Sequence, residues 1–409
     1  MSVAWQEVRI GDVFKTGAGG TPLKSRKEFY ENGEVPWLLS GEISKRDIKH
    51  AKNCITPIGL DNSSAKIFPK DSVLVAMYGA TAGQVGILRI NAATNQAVCA
   101  IYPSDEVLPE YLYYALLSKN QELVSKASGN AQPNISQSKI RNTKILLPSI
   151  FEQKRIVAIL DEAFAGIDAA IANTEKNLAN ARELFESYLN SLFLRNVESW
   201  PEKRLDGLCE KITVGHVGSM AQRYQGEGIP LLRSQNIRPF EIDLNKVVYI
   251  DSVFHAELKK SALKPGDLAI VRTGYPGTAA VIPECLSPVN CSDLVIVRPS
   301  SEVSSHYLAV VFNSPYGKSA VTGALVGAAQ KHFNVTAAKA AQIPLPSRKE
   351  QDNVVSEAAA IRAECLDLGK KYSQKLSALS ELKQSLLQKA FSGELTANFA
   401  EKETDEAVA

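Results

Sequence analysis

Two stretches, residues 150–193 and 348–391, contain no proline and place apolar side chains at three- and four-residue steps. In the first, Ile156, Leu160, Ala163, Ile167, Ile171, Thr174, Leu178, Ala181, Phe185, Tyr188 and Leu192 form one stripe, with Thr174 as its only non-apolar member. Adding 198 to each position gives Val354, Ala358, Ile361, Cys365, Gly369, Tyr372, Leu376, Leu379, Lys383, Leu386 and Ala390. Only Gly369 and Lys383 interrupt that second stripe, and both are expected to loosen it. A seam kept over so many turns predicts a long helix packed on a partner helix. Two unrelated surface helices would not share length, register and place in the chain. At 1.5 Å per residue, such a helix forms a rod of roughly 66 Å.

The remaining stretches, 1–149 and 195–347, have another texture: Gly, Pro and short apolar runs such as Ser72-Val-Leu-Val-Ala-Met77 and Leu268-Ala-Ile-Val271. These predict short strands between turns, with helices near Glu110–Leu123 and Ser304–Phe312. The two stretches are copies of one unit. Trp5-Gln-Glu-Val-Arg-Ile recurs as Trp200-Pro-Glu-Lys-Arg-Leu, and Val35-Pro-Trp-Leu-Leu-Ser-Gly-Glu-Ile as Ile229-Pro-Leu-Leu-Arg-Ser-Gln-Asn-Ile. Phe68-Pro-Lys-Asp71 recurs as Lys264-Pro-Gly-Asp267, Asn95 pairs with Asn290, Asn134 with Asn334, and Glu152-Gln153 with Glu350-Gln351. The expected fold is therefore two mixed α/β (α+β) globular domains joined by two long antiparallel helices, a coiled-coil-like spacer with an internal pseudo-twofold repeat. Its segments are 1–149, 150–194, 195–347, 348–394 and a tail, 395–409, acidic and poor in bulky apolar groups, which is expected to be disordered.

The formal charge of +2 conceals an alternation. The globular stretches carry 17 Lys+Arg against 13 Asp+Glu and 16 against 13; the helical ones carry 4 against 7 and 9 against 11. Basic domains on acidic rods point in the direction a polyanion partner requires, though the excess is small. Six scattered cysteines without a CxxC pair fit neither a disulfide scaffold nor a zinc site. The N-terminus lacks an apolar signal core and no run is long enough to span a bilayer, so a cytoplasmic location is expected.

Basic and hydrogen-bonding side chains gather in small-residue loops. In the first copy these supply Lys24, Arg26 and Lys27 after a glycine-rich loop that is expected to be flexible, then Ser40, Tyr78 and Gln84. In the second they supply Arg233, Gln235, Asn236, Arg272, Tyr275, Lys331 and His332. Arginine reads guanine and Asn or Gln reads adenine by paired hydrogen bonds, while Lys grips phosphate. For any one residue, a solvated turn is the simpler reading. The set gains weight because Leu39-Ser-Gly-Glu42 and Arg233-Ser-Gln-Asn236 occupy matching places with different side chains, as two readers of different sequences would.

Catalytic signals are missing. Gly317-Lys318-Ser319 lacks the upstream glycine of a phosphate-binding loop, since Phe312 stands there. No metal-protease, nucleophile-elbow, dinucleotide-binding or amino-methyltransferase motif occurs, and the five histidines show no ligand spacing.

The order of these motifs resembles the specificity subunits of type I restriction-modification systems. The likeness rests on the tandem repeat, Trp5…Ile10-Gly11-Asp12, Val35-Pro-Trp37, the Pro-Lys-Asp71 and Pro-Gly-Asp267 strand entries, Leu147-Pro148…Gln153-Lys-Arg-Ile156, and Leu386-Leu-Gln-Lys-Ala-Phe-Ser-Gly-Glu-Leu395. It implies a non-catalytic reader of double-stranded DNA, each domain taking one half of a bipartite target. The helices would set the gap and dock two modification subunits. S-adenosylmethionine, ATP and Mg would then belong to the modification and restriction subunits, and no cofactor or metal to this chain. The alternatives are a recognition subunit of a fused restriction-modification enzyme and a coiled-coil protein-interaction scaffold.

Overall fold

The computed structural model describes residues 5–125, 134–196, 198–323 and 333–396. It contains long helices at Ile150–Asn196 and Arg348–Ser392. Two compact units cut across the linear segments. The first combines Met1–Asn173 with Lys375–Ala409, and the second is Thr174–Gln374. Each unit therefore owns one globular stretch and half of each long helix.

Within both units the strands follow one plan. In the first, a five-stranded sheet runs in the order Thr16–Ala18, Val98–Ile101, Val73–Ala76, Val85–Leu88, Asp47–Ile48. A four-stranded sheet runs Asn53–Ile55, Val35–Leu38, Ala92–Thr94, Ile67–Phe68. The second unit repeats these orders as Cys209–Val214, Leu294–Pro299, Leu268–Val271, Ala279–Val281 and as Val248–Ile250, Ile229–Leu232, Val289–Cys291, Ala262–Leu263. The central strands are continuous apolar runs because both faces are covered. Val73, Val75, Cys99 and Ile101 pack toward the helices, while Leu74, Ala76, Val98 and Ala100 pack toward the second sheet. Leu268, Ile270, Val295 and Val297 divide from Ala269, Val271, Leu294 and Ile296 in the same way. Slipping one of these strands by a single residue would exchange its two core faces.

The long helices enter the domain cores as well as packing on each other. Ile156 and Leu160 share a cluster with Leu387, Ala390 and Tyr111, and Leu189 and Phe193 share one with Val354, Ala358 and Tyr307. The contacts run in opposite senses along the two helices. In the first unit Ile156 and Leu160 meet Leu387 and Ala390 while Asp168 meets Lys383; in the second, Leu178 faces Gly369 and the Tyr188 hydroxyl donates to Glu357 at 3.0 Å. The pairing is antiparallel within each unit. Every residue of both predicted stripes is buried or half-buried.

Of the two interruptions of the second stripe, Lys383 is accommodated by contacts across the helix pair. Lys383 pairs with Asp168 across the helices and lies 4.9 Å from the Phe164 ring centroid, so its charge is partnered while its stem fills the seam. At Gly369 a Cβ would meet only Leu178, at 3.9 Å, so the seam keeps space there. The tail also departs from expectation: Leu395 packs against the first unit's core and Thr396 is buried, while residues 397–409 lie outside the described residues.

Each long helix is held to its domain by a fully buried glutamine in its first turn. Gln153 accepts from Leu108 N at 2.9 Å and donates to Glu106 O and Pro148 O, both at 3.0 Å. Gln351 accepts from Ser304 N at 2.9 Å and donates to Glu302 O and Pro346 O, both at 3.1 Å. Beside each, a domain-helix tyrosine donates to the strand leading into the long helix: Tyr111 to Leu146 O at 2.6 Å and Tyr307 to Pro344 O at 2.7 Å. Replacing Gln351 by leucine leaves three backbone groups without their partner, two of them in the buried residues Ser304 and Pro346, and a buried group left unpaired costs about 1–3 kcal/mol. Denaturant unfolding of the Gln351→Leu chain is expected to show a loss of about 2–4 kcal/mol after partial rehydration.

Candidate nucleic-acid interface

The sheet order brings several strand ends to one edge of each unit. In the first, Val35–Leu38 and Ala92–Thr94 are parallel, and Asn95 N donates to Leu38 O at 2.9 Å. Gly20 N donates to Thr94 O at 2.9 Å, Met77 N to Ala97 O at 2.8 Å, and Ile135 N to Met77 O at 2.8 Å. Residues 19–21, 39, 77–78, 95–97 and 134–135 therefore share an edge. There the Thr21 hydroxyl donates to the Gln96 amide oxygen, and Tyr78 bridges Asn134.

The second unit builds the same edge. Ser292 N donates to Leu232 O at 2.9 Å, Asp293 N to His216 O at 3.0 Å, and Phe333 N to Arg272 O at 3.1 Å. These bonds match Leu39 with Arg233 and Met77 with Arg272. They also match Asn95 with Ser292, which corrects the pairing of Asn95 with Asn290. The true partner of Asn290 is Ala93, since Leu231 opposes Asn290 where Trp37 opposes Ala93. Asn290 is fully buried, its amide facing His255 and the Leu258 carbonyl.

The candidate residues separate on this frame. Arg233 and Gln235 come together, their side chains both donating to Lys246 O at 3.3 Å, with the Arg233 guanidinium 5.5 Å from the Tyr224 ring centroid. Arg272 is held by Asp293 at 2.5 Å, with only 16% of its side chain exposed. Tyr275 stands 81% exposed on the adjoining turn, whereas Tyr78 is 39% exposed. Lys24, Arg26 and Lys27 are exposed on the rim, and Arg26 pairs with Glu28 at 3.0 Å. Ser40 is half-buried in a short turn, and Gln84 is half-buried with its amide oxygen turned inward. Lys331 and His332 lie outside the described residues.

Asn236 is not an adenine reader. It is fully buried, accepts from Arg233 N at 3.1 Å and donates to Asp243 O at 2.9 Å. Glu42 takes the same role in the first copy, accepting from Leu39 N at 3.0 Å. The contrast between Leu39-Ser-Gly-Glu42 and Arg233-Ser-Gln-Asn236 thus reduces to the positions that precede the cap. The glycine-rich loop is also more tightly built than expected. A Cβ on Gly19 or Gly20 would stand 2.2–2.4 Å from the atoms of Thr94, Asn95, Ser64 and Ala65, so these glycines permit close packing rather than movement. Trp37 completes that contact by donating to Gly20 O at 3.0 Å.

Cys99 and Cys291 are buried in the cores, and Cys285 is exposed. All six cysteines are free, and burial pushes the Cys99 and Cys209 thiols up to about 12, far from a nucleophile's range. Among the described residues no helix is long and apolar enough to cross a membrane.

Residues 2–179 match the family model for the type I restriction modification DNA specificity domain. The StySPI specificity subunit of Salmonella potsdam is 24% identical over an alignment covering 98% of this chain and 91% of that protein. The EcoR124I/EcoR124II specificity subunit of Escherichia coli is 27% identical, with 47% of this chain and 48% of that protein aligned. The chain thus spans about half the length of that second relative. A solved chain from work on complex assembly and conformational transition of the type I R-M system superposes with a TM-score of 0.78 at 19% identity, covering 96% of this chain and 99% of that one. The likeness is one of fold.

The edge yields a test that separates structural from binding side chains. Asn236→Ala is expected to cost about 1–3 kcal/mol in denaturant unfolding, from the buried groups it leaves unpaired. Lys24→Ala and Lys27→Ala are expected to leave stability unchanged. If each lysine meets a phosphate, each substitution flattens the salt dependence of duplex binding by about one unit of slope.

Proposed function

We propose that this chain is a specificity subunit of a type I restriction-modification system, a sequence-specific DNA-recognition subunit, and that each unit reads one half of a bipartite duplex target. The observation that carries this reading is the repeated edge. One scaffold, with one hydrogen-bonded frame, exposes Leu39 in the first unit where the second carries Arg233, and holds a buried Met77 where the second carries the ion-paired Arg272. A protein binding the same surface twice would need matching edges. Two readers of different base sequences need matching frames with different side chains, because bases are distinguished by donor, acceptor and methyl pattern at a fixed groove geometry.

In this reading the long helices are the ruler between half-sites and the docking surface for two modification subunits, with restriction subunits joining the same complex. Adenine methylation with S-adenosylmethionine and ATP-driven, Mg-dependent cleavage would belong to those partners, and this chain contributes address rather than chemistry. The modest basic excess of the globular stretches, +4 and +3, fits a chain that relies on its partners for much of its grip on DNA. A cytoplasmic setting, where DNA and methyl donor meet, follows from the same reading.

Matched heptads inserted between residues 173 and 174 and between 374 and 375 preserve the seam register to within about 20° and lengthen the spacer by roughly 10 Å. Methylation mapping of cells that express this chain with its modification subunit is expected to show the same two half-sites, separated by about three more base pairs. Altered half-site sequences would exclude the ruler model. Intact methylation at the original spacing would exclude it as well.

A further inference from the structure

The hairpin of Leu268–Val271 and Ala279–Val281 ends in a turn that is seated on the domain at Gly277 and leaves Gly274 and Tyr275 exposed. Its turn is closed by its own backbone: Val271 N donates to Thr278 O at 2.8 Å, Gly277 N to Val271 O at 3.0 Å, and Thr278 N to Tyr275 O at 3.2 Å. Gly274 and Gly277 take φ of 89° and 87°, conformations costly for any other side chain, and Pro276 fixes the backbone between them. A Cβ on Gly277 would come within 3.2 Å of Val321, so the turn is also seated on the domain. On this braced loop Tyr275 is 81% exposed, the most exposed large apolar side chain among the described residues. Beside it Arg272 is anchored by Asp293. A rigid turn that holds an aromatic ring out in water, next to cations on the edge assigned to recognition, has the form of a contact awaiting its surface.

We propose that Tyr275 is a specificity-determining residue of the second unit. The hairpin tip enters the major groove of one half-site, and the Tyr275 ring packs on base edges there, a thymine methyl being the apolar feature available. This rests on the DNA-reading role proposed above. A two-stranded ribbon has the dimensions the major groove admits, and an aromatic ring on a base contributes affinity without needing a hydrogen-bond match. DNA rather than a protein is the indicated surface because the corresponding tips differ. The first unit carries Met77-Tyr-Gly-Ala-Thr-Ala82 where the second carries Arg272-Thr-Gly-Tyr-Pro276. Each presents a tyrosine, but at a different step of a turn of different length. Identical partner subunits would meet two different tips, whereas two half-sites of different sequence call for that difference.

The test uses the complete methylating complex on a library of duplexes randomised across both half-sites. Wild type is expected to methylate one bipartite sequence. Tyr275→Ala is expected to lose about tenfold discrimination at one or two base pairs of one half-site, with the other half-site unchanged. Tyr275→Phe, which keeps the ring, restores it. Unchanged preference in Tyr275→Ala overturns the proposal, as does a uniform loss across all sequences, which marks a phosphate contact. Loss of the co-purifying modification subunit assigns the ring to a protein surface and overturns it too. Because the side chain is exposed, the thermal midpoint is expected to stay at the wild-type value, and a fall would make the ring structural. If wild type itself shows no sequence preference, the DNA-reading role fails along with the proposal. If wild type is selective and Tyr275→Ala equally so, only the proposal fails.

Discussion

Gln153 and Gln351 meet a constraint that the whole architecture imposes: a long helix must leave a globular domain in a fixed direction, at a point where the backbone is buried. Around each helix start, a loop N–H and two carbonyls face inward and need partners. A primary amide supplies one acceptor and two donors at one side-chain length, which matches that demand. Glutamate would offer no donors, and leucine would leave all three groups unpaired. With the clamp in place, the domain helix, the last strand and the long helix are tied together, and Tyr111 and Tyr307 add the second fastening. The proposed ruler role requires that the spacer's ends do not pivot.

The two units solve the rest of the joint differently. In the first, Arg46 reaches from the sheet to Asp161 on the long helix, with contacts of 2.6 and 3.1 Å, and the Tyr114 hydroxyl donates to the same carboxylate at 2.6 Å. In the second, a short hairpin brings Phe240 against Phe185, with ring centroids 5.7 Å apart, and Arg362 lies 5.3 Å from the Phe240 ring centroid. Position 164 corresponds to 362 and position 185 to 383 under the 198-residue repeat, so the cation and the aromatic ring exchange equivalent positions between the units, the ring staying on the first long helix and the cation on the second. Both arrangements place a cation against a ring at the helix pair, and such contacts are worth more where water is partly excluded.

With the edge as the proposed reading surface, recognition and folding can vary separately. Backbone bonds between strand ends set its frame, and caps such as Glu42 and Asn236 hold the turn that leads away from it. Side chains that project from the frame, such as Arg233 and Tyr275, contribute little to the core, so their identity can change while sheet order and register persist. The frame is costly to alter because it consists of buried polar groups, and the projecting positions are not.

How much of this was legible beforehand follows from the range of each interaction. The helices, their stripes and the repeat could be read directly, because a three- and four-residue period is local and each copy states it independently. The charged and hydrogen-bonding loops were recognisable as candidates for the same reason. Their roles were not, since Asn236 and the exposed Gln235 look alike in the sequence and differ only in what lies above them. Gln153 and Gln351 were visible as a repeated pair, but their work depends on Glu106 and Glu302, each more than forty residues away in the chain. Lys383 read as a flaw until Asp168 was found across the helix pair. The sequence by itself determined the elements, their order and their duplication, because periodicity and propensity act between near neighbours. Only the tertiary structure decided which polar side chains are spent on the fold and which face outward, because burial is set by residues far apart in the chain.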